Sequence, residues 1–148
     1  MEWPRFKKTS KDATPGGRAA TTTKALGDAA EDAALAHLQA AGLRLVARNF
    51  RTPGRGGGEI DLIMRERDGT LVFVEVRRRA SASHGGAAAS VGGIKQRRIV
   101  FAARHYLLRV APVPPCRFDV VLVQGDANRH PALPALDWIR AAFDAGDT

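Results

Sequence analysis

The chain has 148 residues, and its 23 Lys and Arg outnumber its 15 Asp and Glu for a net charge of +8. This length suits one domain, and a hydrophobic content of 45% permits a core and excludes a wholly disordered chain. A single cysteine, Cys116, excludes an internal disulfide framework and every multi-cysteine zinc or iron–sulfur site.

Residues 1–23 combine five Lys/Arg and two acids with many Pro, Gly, Thr and Ala, the composition of a disordered basic tail. The domain proper is expected over 24–148. From Lys24 to Ala41 the residues Leu26, Ala30, Ala33, Ala34, His37, Leu38 and Ala41 form one stripe at helical spacing, and Gly42 supplies a stop. A strand is expected over 44–50, followed by a glycine-rich turn from Pro53 to Gly58. Two strands follow over 58–66 and 70–77, joined by Arg67-Asp68-Gly69. After a loose loop over 80–92, a second helix is expected over 93–109, with Ile99, Ala102, Ala103, Tyr106 and Val110 as its buried stripe. Pro112, Pro114 and Pro115 end it. A strand over 117–123 and a short strand or helix around Trp138 complete the chain. The order αβββαβ implies an α/β or α+β sandwich with helices against a central mixed sheet.

The positive charge points to a polyanionic partner, most simply nucleic acid, although an Arg-rich composition gives the same number. Four scattered histidines show no zinc-ligand spacing. No apolar run approaches the roughly 20 residues of a membrane helix, and the N-terminus is polar. A soluble, cytoplasmic protein with no membrane partner is expected.

The acids within the two central strands carry most of the chemical information. Alternation places Leu71, Phe73, Glu75 and Arg77 on one face of their strand, and Glu59, Asp61 and Ile63 on one face of theirs. A three-residue hairpin loop, with Gly69 in the left-handed position, pairs Glu66 with Thr70 and, counting back, Asp61 with Glu75. A loop one residue longer or shorter would separate the two acids. Opposed carboxylates between apolar strands need neutralising. A divalent cation, an arginine counter-ion such as Arg77, or a shared proton would each serve. Arg77, Arg78 and Arg79 run off the strand end, where they are either phosphate contacts or a solvated terminus.

Leu26-Gly27 through Glu31, ARNFR (47–51), GEIDLI (58–63), LVFVEVRRR (71–79), IKQRR (94–98) and RFDVV (117–121) together resemble the YraN family of bacterial proteins over roughly residues 24–143. That family is similar to the restriction-endonuclease-like, PD-(D/E)XK superfamily, particularly archaeal Holliday-junction resolvases. The resemblance implies a three-layer sandwich with a nuclease site on the sheet that depends on Mg²⁺ (or Mn²⁺). It places the superfamily's two central acids at Asp61 and Glu75, and a helical acid at Glu31, as metal-binding residues. The superfamily's lysine two residues after the second acid is Arg77 here, and arginine cannot act as a base. Lys95, one turn before Ile99, either replaces that lysine or snorkels at a helix start. Arg77 and Lys95 thus join Asp61 and Glu75 as candidate catalytic residues, with Arg77, Arg78, Arg79, Arg97 and Arg98 as candidate nucleic-acid contacts. Glu59 is a weaker candidate ligand, His84 an ordinary loop residue, and Asp119 a partner for Arg117 or a neighbouring arginine.

The expected function is hydrolysis of phosphodiesters in branched or structured DNA. The alternatives are a nucleic-acid-binding protein on the same fold with weak or no cleavage, and a protein–protein adaptor. A homodimer is expected by analogy with the junction-cutting enzymes.

Overall fold

The computed structural model describes residues 22–79, 91–124 and 135–147. The expected tail lies outside these residues except for Thr22 and Thr23, which start the first helix, α1 (Thr23–Ala40). The Thr22 hydroxyl accepts a hydrogen bond from the Ala25 N–H at 3.1 Å, so a side chain caps the helix. Then come β1 (Arg44–Arg51), β2 (Glu59–Arg65), β3 (Leu71–Arg79), α2 (Gly93–Leu107), β4 (Cys116–Gln124) and β5 (Leu136–Phe143).

The strands form one sheet in the order β1-β2-β3-β4-β5. Neighbours are antiparallel except for β3 and β4, which run parallel across the α2 connection. The helices cover opposite faces. Ala30, Ala34 and Leu38 of α1 pack on Leu62, Met64, Val72, Val74, Val121 and Val123. Ile99, Val100, Ala102 and Ala103 of α2 pack on Ile63, Leu71, Phe73, Phe118, Val120 and Leu122. Each central strand therefore buries both faces, which explains why β3 reads as a nearly continuous apolar run.

Three expectations are corrected. The second helix ends at Leu107 rather than 109, because its last N–H groups tighten into three-residue turns: Leu108 to His105, Arg109 to Tyr106, and Val110 to Leu107. Val110 therefore lies beyond the helical stripe. The segment around Trp138 is a full strand, so the order is αβββαββ. His37, placed on the α1 stripe by its spacing, is exposed and meets the edge of Trp138 at a ring separation of 6.2 Å.

The glycine-rich turn sets how closely α2 approaches the sheet. A Cβ on Gly58 would collide with the Arg98 carbonyl oxygen and lie 2.9 Å from the Ala102 Cβ, so only glycine lets the helix backbone this close. The Gly58 N–H donates to the Thr52 hydroxyl at 2.7 Å, and the Arg98 guanidinium donates to the Gly57 carbonyl. This contact holds α2 beside the hairpin, and with it Lys95.

Candidate functional site

The β2–β3 hairpin has the expected register. Gly69 takes a positive φ of 94°, its N–H bonds to the Glu66 carbonyl, and the Glu66 N–H bonds to the Thr70 carbonyl at 2.9 Å. Arg65 then faces Leu71, and the ladder runs back to Leu62 opposite Val74. It stops one residue short of the Asp61–Glu75 pair. The physical reason is that Asp61 Oδ2 accepts the Val76 N–H at 2.8 Å, so a side chain takes the donor at the point where the ladder ends.

Asp61 also marks a slip in the alternation of β2. Leu62 and Met64 face α1, whereas Ile63 and Ile60 both face α2. The β1 register places Asn49 between the residues facing Leu62 and Ile60. Asn49 has φ 52°, a left-handed conformation that asparagine tolerates better than most residues. Asp61 interacts electrostatically with Glu31 of α1 and Lys95 of α2.

Glu75 is buried at 7% exposure. Lys95 Nζ, from the first turn of α2, lies 3.4 Å from its Oε1, so Lys95 meets the site rather than merely snorkelling. Burial, then the negative charge of Glu75, pushes the Asp61 carboxyl up to about 7, and a hydrogen bond between the two side chains adds to the shift. The bond to Val76 and the charge of Lys95 oppose it. Lys95 thus sets a positive charge against Glu75, and the upward shift of Asp61 favours its protonated form. Arg77 follows Glu75 on the same strand and is half-buried.

Glu31 approaches from α1. Burial, then the charge of Asp61, raises its carboxyl above the ordinary range. Arg48 restrains it: Nε lies 3.4 Å from Glu31 Oε2, while Nη2 lies 2.7 Å from Asp32 Oδ1. Glu31 is thus a neighbour of Asp61 held by an arginine, and among the described residues no three His, Cys, Asp or Glu side chains gather as a metal cluster. The two carboxylates that share a hydrogen bond here are Asp61 and Glu75. Glu59 is drawn away by Arg51 at 3.3 Å.

The proposed phosphate contacts have different settings. Arg78 is exposed at the strand end, whereas Arg79 pairs with Asp137 of β5 at 3.1 Å. Arg98 is exposed but leans on the Gly57 carbonyl. Arg97 stands on the outer face of α2. His84 lies outside the described residues. Asp119 is the structural residue it was expected to be, with Arg117 Nε 2.8 Å from its Oδ1.

Sequence reading missed the roles of Arg48 and Asn49. Both lie in the ARNFR segment, where an asparagine inside a strand was the available signal.

The model of the uncharacterised protein family UPF0102 matches residues 30–123. The chain belongs to this family. The matched stretch contains Glu31, Arg48, Asp61, Glu75, Arg77 and Lys95. A UPF0102 protein of Paracidovorax citrulli (strain AAC00-1) is 71% identical over 137 residues, 92% of this chain and 96% of the relative. Another, from Polaromonas naphthalenivorans (strain CJ2), is 64% identical over 137 residues, 89% of this chain and 90% of its own. A third, from Acidovorax sp. (strain JS42), is 65% identical over 130 residues, covering 88% and 92% of the two chains. No helix among the described residues of this UPF0102 chain is long and apolar enough to cross a membrane.

Proposed function

We propose that this protein is a Mg²⁺- or Mn²⁺-dependent endonuclease on a restriction-endonuclease-like fold, hydrolysing phosphodiesters in branched or structured DNA. The observation that carries the reading is the convergence of Asp61, Glu75 and Lys95 from three elements at the end of the hairpin ladder, with Glu31 beside them. Setting a partly buried Asp61 against a buried Glu75 with one half-exposed lysine is costly for a structural role. It is the arrangement expected of a site whose charge is neutralised by a ligand.

The donors suit a hard cation. Both are carboxylate oxygens, and Mg²⁺ is typically held by one or two carboxylates, with water and substrate phosphate filling the remaining positions. Asp61 and Glu75 would hold the ion, and Glu31 would act from beside Asp61. When bound, such an ion polarises the phosphoryl group and acidifies water. Lys95 then fixes the Glu75 carboxylate and presents a positive charge near the phosphoryl oxygens. Arg77, two residues after Glu75, would stabilise negative charge developing on the phosphodiester. It remains protonated throughout and takes no proton from water.

A second reading, a nucleic-acid-binding protein with little or no cleavage, is favoured by arginine at position 77 in place of lysine. Purified protein with labelled single-stranded, duplex, flap and four-way-junction DNA, in Mg²⁺ or Mn²⁺, separates the two readings. The nuclease reading expects metal-dependent cleavage that is lost in Glu75→Ala. Cleavage of no substrate, or cleavage that persists in Glu75→Ala, would overturn the assignment. Salt-sensitive binding without cleavage would select the second reading.

A further inference from the structure

The outer face of α2 is apolar where a solvated helix is ordinarily polar. Ile94 and Phe101 are 70% and 53% exposed, and Leu108, just past the helix end, is 84% exposed. At helical spacing they share a stripe with Arg97 and Arg104, opposite the buried Ile99 and Ala102 and the partly buried Tyr106. Arg97, Val100, Phe101 and Arg104 line a shallow depression of about 210 Å³. The helix carries Lys95, Arg97, Arg98 and Arg104 and no Asp or Glu. Among the described residues Arg97 and Arg104 form no ion pair, and the single salt bridge from α2 is that of Lys95 to Glu75.

The charge decides the occupant. A second copy packed two-fold on this face would set a helix with four cations and no acids against its like, which is repulsive. A polyanion is complementary. An exposed aromatic ring between two arginines offers a stacking surface, which an unpaired base can use and a base inside a duplex cannot. Arg97 and Arg104 are roughly 10 Å apart along the helix axis, so their long side chains can reach phosphates on both sides of one stacked base. The inner side of the same helix carries Lys95 to Glu75, so one helix bears both the stripe and a residue of the site.

We propose that the outer face of α2 is a track for single-stranded nucleic acid, with Phe101 stacking a base and Arg97 and Arg104 holding the flanking phosphates. This deepens the nuclease reading and rests on it for the location of the scissile bond: the substrate is nucleic acid with a single-stranded arm leaving the cleavage point.

The test is fluorescence anisotropy of the full chain with a labelled oligothymidylate and a labelled blunt hairpin duplex, in EDTA. The wild type is expected to bind the single strand. Phe101→Ala should weaken that binding about tenfold, leave the duplex within about twofold, and keep the wild-type circular dichroism. Phe101→Tyr should restore it. Replacing Arg97 and Arg104 together by Ala should weaken binding to both probes and flatten the single-strand salt slope by roughly 1.4. The proposal is overturned if the wild type fails to bind the single strand, if Phe101→Ala leaves that binding intact, or if it weakens both probes equally. It is also overturned if Phe101→Ala disperses an oligomer without affecting single-strand binding, which would assign the face to a second copy. Because EDTA suppresses metal-dependent cleavage, failure of the nuclease reading and failure of the track are read separately.

Discussion

Asp61→Asn is expected to make the metal-free protein more stable at pH 8 and to reduce cleavage by on the order of 10²–10³-fold or more. The stability gain follows from the carboxyl pushed up to about 7 by burial and by Glu75. Because the folded-state pKa lies above the unfolded value, the native chain binds more protons than the unfolded chain between about pH 4 and 7. The contribution of this group is therefore fully present below about pH 4 and is lost as pH rises through 7. At pH 8 the wild type carries a charged, partly buried Asp61 opposite the buried Glu75. Asparagine is neutral at every pH, can still accept the Val76 N–H through its oxygen, and can donate to Glu75. A gain of about 2–4 kcal/mol is expected. It should appear in urea unfolding at pH 8 and shrink towards zero near pH 4. A variant that is less stable at pH 8 would show that Asp61 is kept for folding.

The other large effect is expected from Arg117→Met, at about 3–5 kcal/mol of lost stability. Asp119 is fully buried. Arg117 donates to both its oxygens, at 2.8 and 3.0 Å, and also reaches Glu66 at 2.9 Å. Trp138 Nε1 and the Ala141 N–H complete the set, at 2.9 and 3.0 Å. Methionine would leave a buried carboxylate without its cation, and a domain with a total stability of about 5–15 kcal/mol has little margin for that. Adding Asp119→Asn to Arg117→Met should recover part of the loss, because the stranded charge is then gone. Denaturant midpoints of the single and double variants measure this. A loss below about 1 kcal/mol for Arg117→Met would mean that Asp119 is satisfied without its arginine.

The site lies where the sequence could be counted, and the missed parts lie where counting fails. The loop Arg67-Asp68-Gly69 has few available geometries, so counting back from it brought Asp61 opposite Glu75, although the alternation of β2 slips at Asp61. Asp119 was legible as structural because its apolar neighbours alternate with it and Arg117 shares its face. Glu31 was visible as an acid at the margin of a stripe, but its hold by Arg48 spans 17 residues and no local rule reports it. β5 was ambiguous because Ala141 takes φ 50° where the β4–β5 register shifts. Trp138 faces α1, whereas Ala142 and Phe143 both pack on the α2 side, so the period of two that identifies a strand is broken. Glu59 was expected on the face of Asp61, but the slip at Asp61 and the pull of Arg51 separate them.

If Asp61 and Glu75 are held together for a divalent cation, as proposed, calorimetric titration of Mn²⁺ into the metal-free full chain at pH 8 should detect it. Saturable binding is expected in the wild type, weakening as pH falls through 7 because the cation displaces a proton from the pair. Asp61→Asn and Glu75→Gln should each abolish it while remaining folded. No binding by the wild type in the millimolar range, or binding of unchanged strength in both variants, would contradict the claim.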